Sequence, residues 1–109
     1  MRPHQDNDVF HAIAHPARRA ILLALKDGER AASEIAAPFD MSFAAVSQHL
    51  GILEAAQLVA ARRDGRRRLY QLHPRPLRDV ASWINEFSAY FEQRLDALGD
   101  YLDDKHGQR

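Results

Sequence analysis

The sequence predicts a mainly α chain with a small β-hairpin, in the order α-α-α-α-β-β-α. Three observations carry that reading. Apolar residues recur at a 3.6-residue period up to about residue 57. The period drops to two on either side of Asp64-Gly65. It returns to 3.6 for one long stripe that starts at Leu77.

Val9, Phe10, Ile13 and Ala14 fall at helical spacing and predict a first helix over 8–15, with Asp6 or Asn7 as its cap. Pro16 disfavours helix at His15 and suits the first turn of the next helix. That second helix, about 16–26, carries Ile21, Leu22 and Leu25 and stops at Gly28. A short third helix is predicted from Ala32 to Pro38, and Phe39-Asp40-Met41 is a tight connection. Ser42 then reads as an N-cap, although Ala45 stands where a full capping box has Glu or Gln. Val46, Leu50 and Leu53 make the apolar face of the fourth helix. Phe43, Ala44, Ser47, Gln48 and Glu54 lie largely elsewhere on it. Two short helices joined by about three residues, the second with a polar face, form a helix-turn-helix pattern.

From Leu58 the chain alternates, with Asp64-Gly65 between two strand-like runs as a hairpin signal. Pairing Arg63 with Arg66 puts Val59 opposite Tyr70 and makes the tip almost wholly arginine. His73-Pro74-Arg75-Pro76 ends the second strand. Residues 75–104 then predict one helix, about 45 Å long at 1.5 Å per residue. Leu77, Val80, Ile84, Phe87, Phe91, Leu95, Leu98 and Leu102 form its stripe, widened by Trp83, Tyr90 and Tyr101. A domain of 109 residues cannot cover such a stripe with its own core, so a second copy is expected against it. Phe10, Leu77, Val80, Trp83, Ile84, Phe87, Tyr90, Phe91, Leu95 and Leu98 are the expected dimer interface. The whole reads as one winged helix-turn-helix domain over 1–109, a homodimer through its terminal helices. Its core is 8–72, its wing 58–72 and its dimerisation helix 75–104.

Composition sets limits. The 109 residues contain no cysteine, which excludes disulfides, thiolate metal ligands and thiol redox sensing. There is no run of about 18 apolar residues and no signal-peptide core at the start, so no membrane partner is expected and the cytoplasm is the expected compartment. No Gly-rich phosphate loop, nucleophile elbow or HExxH occurs, so neither an enzyme nor a cofactor is expected. A formal net charge of zero argues against nucleic acid until its distribution is examined. Residues 1–78 hold 12 basic and 8 acidic residues, net +4, whereas residues 79–109 hold 3 basic and 7 acidic, net −4. Arg62, Arg63, Arg66, Arg67 and Arg68 place five arginines in seven residues around a single acid, Asp64. Such segregation points to an anionic partner for the basic part.

Three segments also resemble a known family. Residues 10–22, from Phe10-His11-Ala12-Ile13-Ala14-His15-Pro16 through Arg18-Arg19, resemble the opening of the ArsR/SmtB family of bacterial winged-helix repressors. Ser42 to Val59, with Val46-Ser47-Gln48-His49-Leu50 at its centre, is similar to that family's recognition helix. Arg63-Asp64-Gly65-Arg66-Arg67-Arg68-Leu69-Tyr70 is similar to its wing. The resemblance covers about 8–102 and implies a homodimeric repressor on a pseudo-palindromic operator in double-stranded DNA. Two departures stand out. Gln57 replaces the usual Gly after the recognition helix, where a left-handed residue is expected at a cost of about 1 kcal/mol. The family's metal sites are missing as well. No thiol follows Glu34-Ile35, and 75–105 contains no His. The resemblance therefore carries over DNA binding and dimerisation but no metal sensor, and any small-molecule inducer is of unknown identity.

The recognition-helix candidates are Ser42, Phe43, Ala44, Ser47, Gln48 and His49. Gln48 can pair bidentately with adenine, and Phe43 or Ala44 can touch a thymine methyl. Ser42 and Ser47 suit phosphate. His49 either meets phosphate or packs against the neighbouring helix. The wing candidates are Arg62, Arg63, Arg66, Arg67, Arg68 and Tyr70, of which not all can reach DNA. Arg18 and Arg19 suit phosphate or a structural ion pair. His11 and His15 sit at i, i+4, a metal-clip spacing, but lack a nearby carboxylate or thiol, and His15 before Pro16 suits capping or packing. A second function stays open, in which the aromatic C-terminal helix docks another protein.

Overall fold

The computed structural model of the chain describes residues 8–93. The chain divides into two compact units, Met1–Asp79 and Val80–Arg109.

In the first unit, α1 (Val9–Ala12) is capped by Asp8, whose carboxylate accepts the Phe10 N–H at 3.1 Å. The cap is thus Asp8 rather than Asp6 or Asn7, which lie outside the described residues. The helix also closes earlier than expected, because Pro16 holds His15 extended at φ −109, ψ 130. His15 caps α2 (Pro16–Ala24), its Nδ1 accepting the Ala17 N–H at 3.0 Å, with Pro16 in the first turn. Beyond Ala24 the chain winds down through i→i−3 bonds to Gly28, at φ +145, instead of staying helical to residue 26.

β1 (Arg30–Ala31) was not expected. It pairs antiparallel with β3, Arg30 opposite Tyr70 and Ala31 opposite Leu69, which adds one strand to the element order. α3 (Ala32–Ala36) follows, and Glu34 reaches back to accept the Ala31 N–H at 2.7 Å. The connection to the next helix spans 37–42 and is longer than the sequence implied. α4 (Phe43–Ala55) starts as predicted, with Ser42 Oγ accepting the Ala45 N–H at 3.0 Å.

The end of α4 retains the left-handed turn without its glycine. Gln57 sits at φ +63, the Leu58 N–H donates to the Leu53 carbonyl at 3.0 Å, and the Gln57 N–H to Glu54 at 2.9 Å. Those two bonds make a Schellman closure. Gln57→Gly is expected to relieve the strain and raise the unfolding free energy by up to about 1 kcal/mol, read from urea midpoints. An unchanged or lower midpoint contradicts this.

β2 (Val59–Asp64) and β3 (Arg67–Leu72) form the hairpin, and the sheet order is β1-β3-β2. Its register is displaced by two residues from the sequence reading. Asp64 pairs with Arg67, Arg63 with Arg68 and Val59 with Leu72. The loop is Gly65-Arg66, with Gly65 at φ +67 and Arg66 not left-handed, the signature of a type II′ turn. Consecutive Leu69 and Tyr70 are both buried, so both faces of the central strand are covered. Ile21, Leu25, Ile35, Val46, Leu50, Leu53 and Leu58 fill the core.

α5 (Leu77–Asn85) starts just before the second unit. Helix resumes over 88–93, and at 86–87 the Glu86 and Phe87 N–H groups bond i−3 carbonyls, of Trp83 and Ile84. The single helix expected over 75–104 is therefore interrupted within the described part. No Pro or Gly stands at the break; Asn85 there is a weak helix former. Among the described residues no helix is long and apolar enough to cross a membrane.

Candidate nucleic-acid interface

Burial of Val46, Leu50 and Leu53 turns the opposite side of α4 outward. Phe43, Ala44, Ser47 and Gln48 are exposed there, beside the capping Ser42, and Phe43 leaves 57 % of its surface open. Five of the six predicted residues thus share one outward strip at the N-terminal end of the helix. Gly51 continues it, with open space where a Cβ would stand.

His49 belongs to the other side. It is half-buried, its ring centroid 4.6 Å from that of His15, and its Nδ1 lies 3.3 Å from Arg18 Nη1. A guanidinium can only donate, so His49 Nδ1 accepts and its proton sits on Nε2. Burial, then His15, then Arg18 hold the His49 pKa below its ordinary value of 6.5. On unfolding that value is restored, so the unfolded chain takes up the proton first. Stability is complete above about 6.5 and falls as the pH drops through the lowered folded pKa. Titrating the urea midpoint from pH 8 to 5 is expected to show that decline, and His49→Gln is expected to flatten it. Parallel titration curves for the two proteins contradict this.

Arg18 is 6 % exposed and carries no ion pair among the described residues. Its Nε donates to the Ala12 carbonyl at 2.6 Å and its Nη2 to the His11 carbonyl at 3.0 Å. Arg19 Nη1 donates to the Ile13 carbonyl at 2.8 Å. Both arginines therefore donate to carbonyls at the C-terminal end of α1; buried Arg18 takes this structural role in place of phosphate contact or an ion pair, while Arg19 stays exposed.

The wing arginines divide into two groups. Arg62 forms a bidentate pair with Glu29, both bonds 2.8 Å, which raises the pKa of Arg62 and lowers that of Glu29. Arg67 meets Glu34 at 3.3 Å. Arg68 donates to the Tyr70 hydroxyl at 3.0 Å and lies 3.6 Å from Glu54, a residue of α4. Tyr70 itself is buried, so it supports the wing from below. The side chains of Arg63 and Arg66 are exposed and have no hydrogen-bond or ion-pair partner among the described residues. The sequence reading missed the three acids. Two of them lie 33 residues from their arginines, beyond any local pattern.

In the second unit the described helical turns leave an aromatic face open. Trp83, Ile84, Phe87, Tyr90 and Phe91 are all exposed, and Trp83 and Phe87 meet edge to face at 5.3 Å. Val80 and, in the first unit, Leu77 are half-buried, and Phe10 is exposed. Leu95 and Leu98, the remaining predicted interface residues, lie outside the described residues.

Known proteins decide the family. Residues 13–62 match a helix-turn-helix domain family. The chain is 40 % identical over 81 residues to the transcriptional repressor SdpR of Bacillus subtilis, covering 74 % of this chain and 90 % of that one. A crystallised ArsR family transcriptional regulator is 34 % identical, with a TM-score of 0.70 over 82 % of this chain and 98 % of the other. This chain belongs to the ArsR/SmtB family. A further ArsR/SmtB relative in name, the repressor SmtB of Mycobacterium tuberculosis, is 40 % identical over 65 residues, 60 % of this chain and 48 % of that one. Like its relatives, this ArsR/SmtB protein is a DNA-binding transcriptional regulator and not an enzyme. The winged helix-turn-helix expected from sequence is its fold.

Proposed function

We propose that this ArsR/SmtB protein is a dimeric repressor that binds a pseudo-palindromic operator in the cytoplasm. The observation that carries this is the outward strip of α4 together with two wing arginines, Arg63 and Arg66, whose side chains have no partner among the described residues. The N-terminal turns of α4 enter the major groove. Gln48 reads a base, Phe43 and Ala44 offer apolar contact, and Ser42 and Ser47 meet phosphate. Arg63 and Arg66 bind flanking phosphate or a narrow minor groove. The aromatic face of the C-terminal helix is the seam between two copies, because an uncovered face of that size is costly in water. An inducer, where there is one, is not held by thiolates. His15 Nδ1 is already engaged by the Ala17 N–H, which weighs against a clip with His11.

Selection from a random duplex pool tests the reading. The enriched sequences are expected to be inverted repeats. Gln48→Ala is expected to relax base preference at one position per half-site, at a cost of about 1–3 kcal/mol for the preferred base. A chain that enriches nothing contradicts the proposal.

The exposed Trp83, Phe87, Tyr90 and Phe91 also fit a second reading, a winged helix that docks another protein through that face. Mass in solution separates the two. A tight dimer leaves the face occupied and a monomer leaves it open.

A further inference from the structure

We propose that Glu29, Glu34 and Glu54 are specificity-determining residues that hold Arg62, Arg67 and Arg68 off DNA phosphate. The wing then offers two arginines to DNA, not five. This rests on the DNA-binding surface proposed above.

The three acids come from separate parts of the first unit: the segment before β1, the helix α3 and the recognition helix α4. Each meets a different wing arginine, at 2.8, 3.3 and 3.6 Å. Two of the pairs have a further anchor. Glu34 also accepts the Ala31 N–H, and Arg68 also donates to Tyr70. An exposed ion pair contributes little to folding. Its effect on DNA binding is different in kind. A paired arginine that turns to phosphate exchanges one anion for another and leaves a bare carboxylate beside the backbone. The exchange is close to even, so these arginines add little to binding on arbitrary sequence. Arg63 and Arg66 have no such exchange to make. The Glu54–Arg68 contact also ties the wing to the base-reading helix, so the two elements meet DNA as one body.

The test compares two triple variants of equal charge in the full chain. Glu29→Gln, Glu34→Gln and Glu54→Gln together release the arginines, while the amide that replaces the Glu34 carboxylate can still accept the Ala31 N–H. Asp27→Asn, Asp40→Asn and Asp79→Asn remove three acids that have no arginine partner among the described residues. The probe is a short mixed-sequence duplex, titrated by fluorescence anisotropy across a salt series. The glutamate triple is expected to bind it roughly tenfold more tightly, with a steeper dependence of log affinity on log salt, by about one for each arginine that gains a phosphate. The aspartate triple is expected to change much less. The preference for an enriched duplex over the mixed one is expected to fall in the glutamate triple alone. Equal tightening in both triples, or none in the glutamate triple, overturns the inference. Glu29→Gln alone lies outside every helix and carries the same test, at about threefold, where the triple does not fold. A wild-type chain that binds no duplex at low salt overturns the proposed DNA surface as well. One that binds while the glutamate triple matches it overturns only this inference.

Discussion

Arg18→Met is expected to lower the unfolding free energy by about 3 kcal/mol, a large share of a domain stability of roughly 5–15 kcal/mol. The methionine retains most of the stem and so most of the packing. It leaves the Ala12 carbonyl without the donor that Arg18 supplies, takes one donor from the His11 carbonyl, which keeps the Ala14 N–H at 3.2 Å, and removes the donor to His49. An unsatisfied buried acceptor costs about 1–3 kcal/mol, and hydrogen bonds to a charged group are at the strong end of their range. Arg18→Lys separates charge from geometry. An ammonium keeps the charge beside the carbonyl ends but cannot span three acceptors with a planar fork, so it is expected to recover less than half of the loss. Urea denaturation at pH 8 reads all three proteins with His49 neutral. A lysine variant as stable as the wild type shows that charge alone, and not the fork, accounts for the role of Arg18.

Replacing Arg63 and Arg66 together by Ala is expected to weaken duplex binding by at least about tenfold at moderate salt. It is also expected to flatten the slope of log affinity against log salt by about two per chain. Both side chains are exposed and partnerless among the described residues, so fold stability is expected to move by less than about 0.5 kcal/mol. The loss is expected on all sequences alike, since phosphate contacts carry no base information. The matched comparison is Arg62→Ala with Arg67→Ala, which removes the same charge from arginines already held by Glu29 and Glu34. Anisotropy titrations of both doubles at several salt concentrations decide the matter. A larger loss in the second double contradicts the division of the wing.

Local signals in the sequence were sufficient for much of this architecture. Ser42, the apolar triad Val46, Leu50 and Leu53, and Pro16 each act within about two helical turns, so their roles are written in neighbouring residues. The hairpin was legible too, but not its register. A slip of two residues keeps every side chain on its own face, so alternation alone cannot tell the two registers apart. A left-handed Gly65 suits either loop; Asp64 decides between them, because an Asp64-Gly65 loop needs it at positive φ and it is instead the last residue of β2. β1 left no trace because two residues cannot show a period; Arg30 and Ala31 are strand only because β3 lies alongside. The function of Arg18 was hidden for a related reason. Its partners are main-chain carbonyls, which look identical in every sequence. At the candidate interface, residue types marked the hairpin and the outward strip of α4. Which arginines are available depends on acids brought in from a distance.

The outward residues in the first turns of α4, Phe43, Ala44, Ser47 and Gln48, include no formal charge, whereas the wing beside them is almost all charge. Ions in the medium weaken attraction to phosphate but scarcely touch an amide on adenine or a phenyl ring on a methyl group. Grip and choice of site are thereby assigned to different chemistries. On the proposed DNA surface, a shift in ionic strength is therefore expected to alter how long the protein stays on DNA while leaving its ranking of sequences nearly intact.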